Sequence, residues 1–245
     1  MLTCADMFGG TSMPVNPKTG LKSTIAKALL DRVAESLLPA TCCLCGGGGE
    51  TANLDLCAGC RKLLPLNAPE RDAFPSFTAT VVRVVVPFHY AYPVNFLIRA
   101  LKFRGERAHA RVLGLLLADS LRSLRCALPD LIVPIPLHPQ RYRERGFNQA
   151  HEIARYTGAS LCIPVDTRHL VRRSPTREQS ALSLAERRRN VRGAFEVARP
   201  FTAMRVALID DVLTTGSTAL AAARAVLAAG VSEVEVWAVA RVLLS

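Results

Sequence analysis

Acidic residues are scarce in this chain: 20 Asp and Glu stand against 31 Lys and Arg, a formal net charge of +11. A basic balance of this kind favours polyanions such as pyrophosphate, nucleotides or nucleic acid. Long apolar runs are missing too. No segment reaches the roughly 18 uninterrupted residues of a membrane span, and the opening MLTCADMFGGTSMPVNPKTG has no apolar run of the secretory kind. Both absences predict a cytoplasmic location without a membrane span. No convincing Ser/His/Asp or Cys/His arrangement is present. His138, His151 and His169 read as surface or loop histidines rather than catalytic bases. Aromatic residues make up only 6% of the chain, and Tyr142, Phe147 and Tyr156 are too scattered to form a base-stacking platform.

The 245 residues, 50% of them hydrophobic, can bury one substantial core and carry a small extra module. The positive charge is concentrated. Residues 168–192 hold eight arginines against two glutamates, which reads either as an anion-binding segment or as a solvated arginine-rich loop.

Eight cysteines without an export signal point to metal rather than disulfides. In CCLCGGGGETANLDLCAGC, Cys42 and Cys45 form one CxxC pair and Cys57 and Cys60 a second. Two such turns supply the four thiolates of a tetrahedral zinc site with no position left for water, hence a structural Zn2+. An iron centre with the same ligands and a redox pair are the competing readings. Cys43 is surplus and could replace Cys42 only by breaking the two-residue gap.

Residues 1–20 lack any periodic pattern and read as a disordered leader. Leu21, Ile25, Leu29, Val33 and Leu37 then follow helical spacing up to Pro39, so a helix plus the cysteine module is expected over 21–66. Beyond it, strands are expected in ATVVRVVVPF, DLIVPIP, MRVALID and VEVWAVAR. Helices are expected in VNFLIRALKF, ARVLGLLLADSLRSL, NQAHEIARYTG (ending at Gly158) and STALAAARAVLAAG. Alternation of this kind predicts an α/β domain over 78–245 with a mostly parallel sheet covered on both faces.

The stretch VALIDDVLTTGSTAL runs an apolar strand into Asp210 and Asp211 and then into Thr214, Thr215, Gly216, Ser217 and Thr218, which open a helix. The strand is expected to release the chain at the aspartates. Ionised carboxylates accept hydrogen bonds from the vicinal hydroxyls of a ribose, and hydroxyls and N–H groups converging on a helix N-terminus suit a phosphate. The composite matches the motif by which type I phosphoribosyltransferases hold phosphoribosyl pyrophosphate (PRPP).

In order, CCLCG…LCAGC, LIRALKFRGERAHARVLG, VPIPLHPQRYRERGFNQAHEIAR, TREQSALSLAERRRNVRGAF and VALIDDVLTTGSTAL resemble the competence protein F (ComF) family, also called GntX-like, over about residues 30–245. The resemblance implies a zinc ribbon before a type I phosphoribosyltransferase fold and a link to DNA uptake in natural transformation. By it, Asp210 and Asp211 would hold the ribose hydroxyls, with catalysis if there is any, and residues 214–218 the 5′-phosphate. Mg2+ would accompany PRPP. Arg141, Arg143 and Arg145 would fan out around pyrophosphate from a loop stiffened by prolines 134, 136 and 139, a place where phosphoribosyltransferases often carry a cis peptide. A mobile lid would carry Arg173, Thr176, Gln179, Arg189, Asn190 and Arg192. Lys102 is left as a weak ligand candidate. No hood for an acceptor base is recognisable. Three roles therefore stand: a phosphoribosyltransferase of unknown acceptor, a noncatalytic DNA-uptake factor that binds single-stranded DNA or a helicase, and a PRPP sensor.

Overall fold

The computed structural model describes residues 41–48, 54–67, 77, 80–173 and 193–243. The expected leader, the helix over 21–39 and the lid residues Thr176, Gln179, Arg189, Asn190 and Arg192 lie outside the described residues. The chain divides into two compact units, Met1–Lys62 and Leu63–Ser245.

In the first unit, the chain turns at 42–47, where the Gly46 N–H donates to the Cys42 carbonyl at 2.9 Å and the Cys42 N–H to the Gly47 carbonyl at 2.7 Å. A short helix, α1 (Ala58–Lys62), follows the second turn.

The second unit is built on a parallel sheet. Its strands are β1 (Arg83–Val85), β2 (Phe88–His89), β3 (Leu131–Pro134), β6 (Arg205–Leu213) and β7 (Glu233–Arg241), in the order β1-β7-β6-β3 with β2 continuing beside β7. Val206 to Ile209 and Val234 to Ala240 are buried throughout, as a doubly covered parallel sheet requires. The helices are α2 (Val94–Arg99), α3 (Ala108–Ser123), α4 (Pro139–Arg145), α5 (Gln149–Leu161) and α6 (Ser217–Ala228). On one face α6 buries Ala219, Ala222, Ala223 and Val226, at helical spacing, against Val206, Leu208, Val234 and Val236. Trp237 is fully buried, and its Nε1 donates to Glu235 Oε2 at 2.8 Å. Arg83 pairs with the same carboxylate, so this buried acid is satisfied. A separate antiparallel pair, β4 (Leu170–Arg172) and β5 (Phe195–Val197), flanks residues 174–192. No helix among the described residues is long and apolar enough to cross a membrane.

Three local expectations change. The strand expected over 79–88 is two short strands, because Pro87 between them has no N–H to give to a ladder. The helix expected over 94–103 is α-helical to Arg99 and continues as a π-turn over Ala100–Arg104. The helix expected to stop at Gly158 runs on to Leu161. Gly158 is there for closeness rather than termination, since a Cβ on it would lie 2.5 Å from Val165 Cγ2 and 2.7 Å from the Ile163 carbonyl oxygen. Gly158→Ala is therefore expected to cost about 1–3 kcal/mol, read as a lowered melting temperature. An unchanged melting temperature would contradict this close packing.

Candidate functional site

The apolar run Val206–Ile209 carries β6 into the centre of the sheet, but the strand does not release the chain at the aspartates. It pairs with β7 through Asp210↔Ala238, Val212↔Ala240 and Leu213↔Arg241, because β7 is long enough to offer partners that far. Neighbours on a strand alternate in direction, and the two acids part company. Asp210 lines a cleft of about 1030 Å³ at this end of the sheet. Asp211 does not line it; it is 3% exposed, and its Oδ2 pairs with the ammonium of Lys102.

The electrostatics follow from that split. Burial and the neighbouring Asp211 charge push the Asp210 carboxyl up to about 8. Burial opposes ionisation of Asp211 as well, but Lys102 outweighs it and holds that carboxyl below its ordinary value. Burial also opposes the Lys102 charge, and Asp211 reverses the effect, so the ammonium is held above its usual range.

Beyond β6, Gly216 takes φ +71° and caps α6, a left-handed conformation that favours glycine. Thr214, Gly216, Ser217 and Thr218 line the cleft. Thr215 does not; its Oγ1 lies 2.7 Å from Ser217 Oγ and accepts from the Ser217 N–H at 3.4 Å, bracing the turn.

The opposite wall follows β3. The stretch expected as an arginine-bearing loop is the helix α4, with Pro139 in its first turn and His138 Nδ1 accepting the Gln140 N–H at 3.3 Å. Helical spacing puts residues four apart on one face, so Arg141 and Arg145 reach the cleft and Arg143 does not. Arg145 Nη1 donates to Gln149 Oε1 at 2.6 Å. Asn148 Oδ1 accepts the Ala150 N–H at 3.0 Å to cap α5, while its Nδ2 donates to the Ile135 carbonyl at 3.0 Å, tying the strand end to the helix. Arg172, at the end of β4, also lines the cleft; the alternation in LVR gave no sign of this. Burial lowers the pKa of both Arg145 and Arg172, against the pull of Asp211 and Asp210 respectively. Arg173, expected on a lid, is ion-paired with Glu196. Gln179 and Arg189 lie outside the described residues. Among the described residues the cis peptide is Tyr92–Pro93, not one beside Arg141.

In the first unit, the sulfurs of Cys42, Cys45, Cys57 and Cys60 all lie within 4.8 Å of one another. Cys45 Sγ and Cys57 Sγ are 3.7 Å apart, and the Cys60 N–H donates to Cys57 Sγ at 3.4 Å. Cys43 is not in the cluster; burial and the Cys42 charge push its thiol up to about 11. The four clustered thiols fit a tetrahedral metal site.

A group that sequence reasoning missed lies at the surface. Tyr92, Phe96 and Phe103 are 64%, 38% and 74% exposed. With Arg99 and Arg104 they line a groove of about 520 Å³, and Arg104 stands 5.2 Å over the Phe96 ring. The signal was present in the spacing of aromatics and arginines through residues 92–104.

No protein-family model matches the chain. Among solved structures, a purine phosphoribosyltransferase from Pyrococcus horikoshii overlaps at a TM-score of 0.31 with 16% identity, covering 54% of this chain and 84% of that one. The UMP synthase of Leishmania donovani overlaps at 0.29 with 21% identity, covering 57% and 22%. Likeness at these scores carries no weight of its own. Sequence relatives are nearer. The DNA utilization protein YhgH of Escherichia coli O157:H7 is 36% identical over 165 residues, 66% of this chain and 73% of its own. Competence protein ComFC of Bacillus subtilis is 33% identical over 132 residues, 53% of this chain and 51% of its own. Competence protein F of Haemophilus influenzae is 32% identical over 220 residues, 82% of this chain and 96% of its own. With nearly the whole of that relative matched, the chain belongs to the competence protein F family.

Proposed function

We propose that the cleft of the second unit binds PRPP or a closely related phosphoribosyl ligand, in a domain of the type I phosphoribosyltransferase kind, and that the protein serves DNA uptake or nucleotide metabolism. One observation carries the reading: Asp210 on β6, Thr214, Gly216, Ser217 and Thr218 around the start of α6, and Arg141, Arg145 and Arg172 all line a single cleft. Asp210 accepts from the ribose hydroxyls, the turn and the N-terminus of α6 take the 5′-phosphate, and the arginines face the pyrophosphate. Mg2+ bound with the ligand supplies further charge neutralisation. Where an acceptor nitrogen is available, the same residues suit transfer: the C1′–O bond to pyrophosphate breaks, a C1′–N bond forms, and the arginines stabilise the charge on the leaving group. A sensor would use the same cleft without turnover. Calorimetric titration with Mg·PRPP tests the binding, and pyrophosphate release with a panel of bases separates enzyme from sensor.

The cysteine cluster is proposed to hold one structural zinc. Its four sulfurs leave no open position for a substrate.

A second reading rests on the aromatic groove. The relatives are named for competence and DNA utilization, and exposed rings flanked by arginines suit stacked bases and phosphates. Phe103→Ala is expected to weaken binding of single-stranded DNA by about 1–3 kcal/mol, measured by fluorescence anisotropy at two salt concentrations. Equal affinity in wild type and variant, or no affinity at low salt, would remove this reading.

A further inference from the structure

One ion pair at the cleft has no task in the ligand reading. Lys102 stands in the π-turn Ala100–Arg104, a local widening of the helix that is frequent at functional sites. Ala100 and Leu101 are buried beside it and Phe103 is exposed. The side chains of Lys102 and Asp211 are 20% and 4% exposed, so each is a charge largely removed from water that depends on the other. The groups that face the pair come from several elements. Asp210 and Asp211 of β6 and Tyr90, after β2, act on Lys102, while Asp210 and Arg145, at the end of α4, act on Asp211.

Strand alternation turns the two carboxylates apart, but adjacent carboxylates repel, and a buried one stays charged and in place only while a counter-charge compensates it. We propose that Lys102 is a positioning residue: by holding the Asp211 carboxylate in from the ligand space, it makes Asp210 the one acid of the pair that meets a bound ligand. The nature of the ligand rests on the phosphoribosyl reading; the ion pair does not. Without Lys102 the second carboxylate loses its counter-charge and competes with Asp210 for proton and ligand, and a second acid facing the cleft repels a polyanion.

The test uses the full chain as wild type, Lys102→Met, Lys102→Arg and the double variant Lys102→Met/Asp211→Asn. Carbon-detected NMR of the aspartate carboxyls, without ligand, reads how far apart the two acids titrate. Calorimetry with Mg·PRPP reads affinity. Lys102→Met is expected to narrow the titration gap by about one pH unit or more and to weaken binding about tenfold or more; Lys102→Arg should retain both properties. The double variant leaves no stranded buried carboxylate, so it tests the idea even where Lys102→Met fails to fold, and it should recover most of the affinity. Equal losses in the single and double variants would mean that Lys102 touches the ligand itself, overturning the positioning role. An unchanged titration gap in Lys102→Met would also overturn it. Absence of PRPP binding by the wild type would instead remove the ligand reading, and the NMR arm would still decide the role of Lys102.

Discussion

Cys42→Ser is expected to strip the metal from the first unit and unfold the segment around it, whereas Cys43→Ser keeps both. Cys42 is 2% exposed, and its sulfur stands within 4.8 Å of the other three, while Cys43 is outside the cluster. Among the described residues of this unit, the buried apolar side chains beside Cys42 are Leu54 and Leu56, a small apolar surface by itself. Structural zinc contributes about 10 kcal/mol or more to folding in small modules, so with the proposed zinc in place the loss of one of four ligands is expected to outweigh the packing of these two leucines. Metal content of the purified full chain, with limited proteolysis, reads the outcome. Full zinc occupancy in Cys42→Ser, or its loss in Cys43→Ser, would contradict the ligand set.

The affinity of the wild type for Mg·PRPP should rise about tenfold per pH unit from pH 6 towards 8 and then level. Asp210, held up to about 8, must give up its proton before it can accept from ribose hydroxyls, and that cost shrinks as the pH approaches its own value. Asp210→Asn should be flat by comparison and weaker by about a hundredfold at pH 8, the scale of a lost charge-assisted contact. Taking the ratio of the two proteins cancels titration of the ligand. Stability moves the other way. Between the ordinary value of 3.8 and about 8, the folded chain holds a proton that the unfolded chain has released. Asp210 therefore favours folding at acid pH, and that contribution is lost as the pH rises through about 8. The melting temperature of Asp210→Asn should gain on that of the wild type over this range. Parallel curves would mean that Asp210 titrates normally.

The elements legible in the sequence are those whose environment imposes a pattern. β3, β6 and β7 are buried on both faces and read as apolar runs, α6 carries its alanines at helical spacing, and the paired cysteines announce a shared centre. Polar segments were less readable. PQRYRER has no apolar period, so nothing in it announces the helix α4 or separates Arg141 and Arg145 on the cleft from Arg143 off it. The acidic pair was visible as a unit, but the partner of its buried member is a lysine distant in sequence, brought in by a π-turn that no spacing rule describes. Arg172 reaches the cleft through strand pairing with β5, again a tertiary fact. The aromatic groove is easily passed over because Phe96 and Phe103 stand in a helix and its π-turn whose other apolar residues are core; of the aromatics that the sequence offered for stacking, Phe147 is only 7% exposed.

The most direct test of the central claim is calorimetric titration of Mg·PRPP into the folded, zinc-loaded full chain at pH 8, with Asp210→Asn alongside. A saturable isotherm with one ligand per chain in the wild type, lost in the variant, is the predicted result. No heat from the wild type, or equal binding by the two proteins, would contradict a phosphoribosyl site built around Asp210.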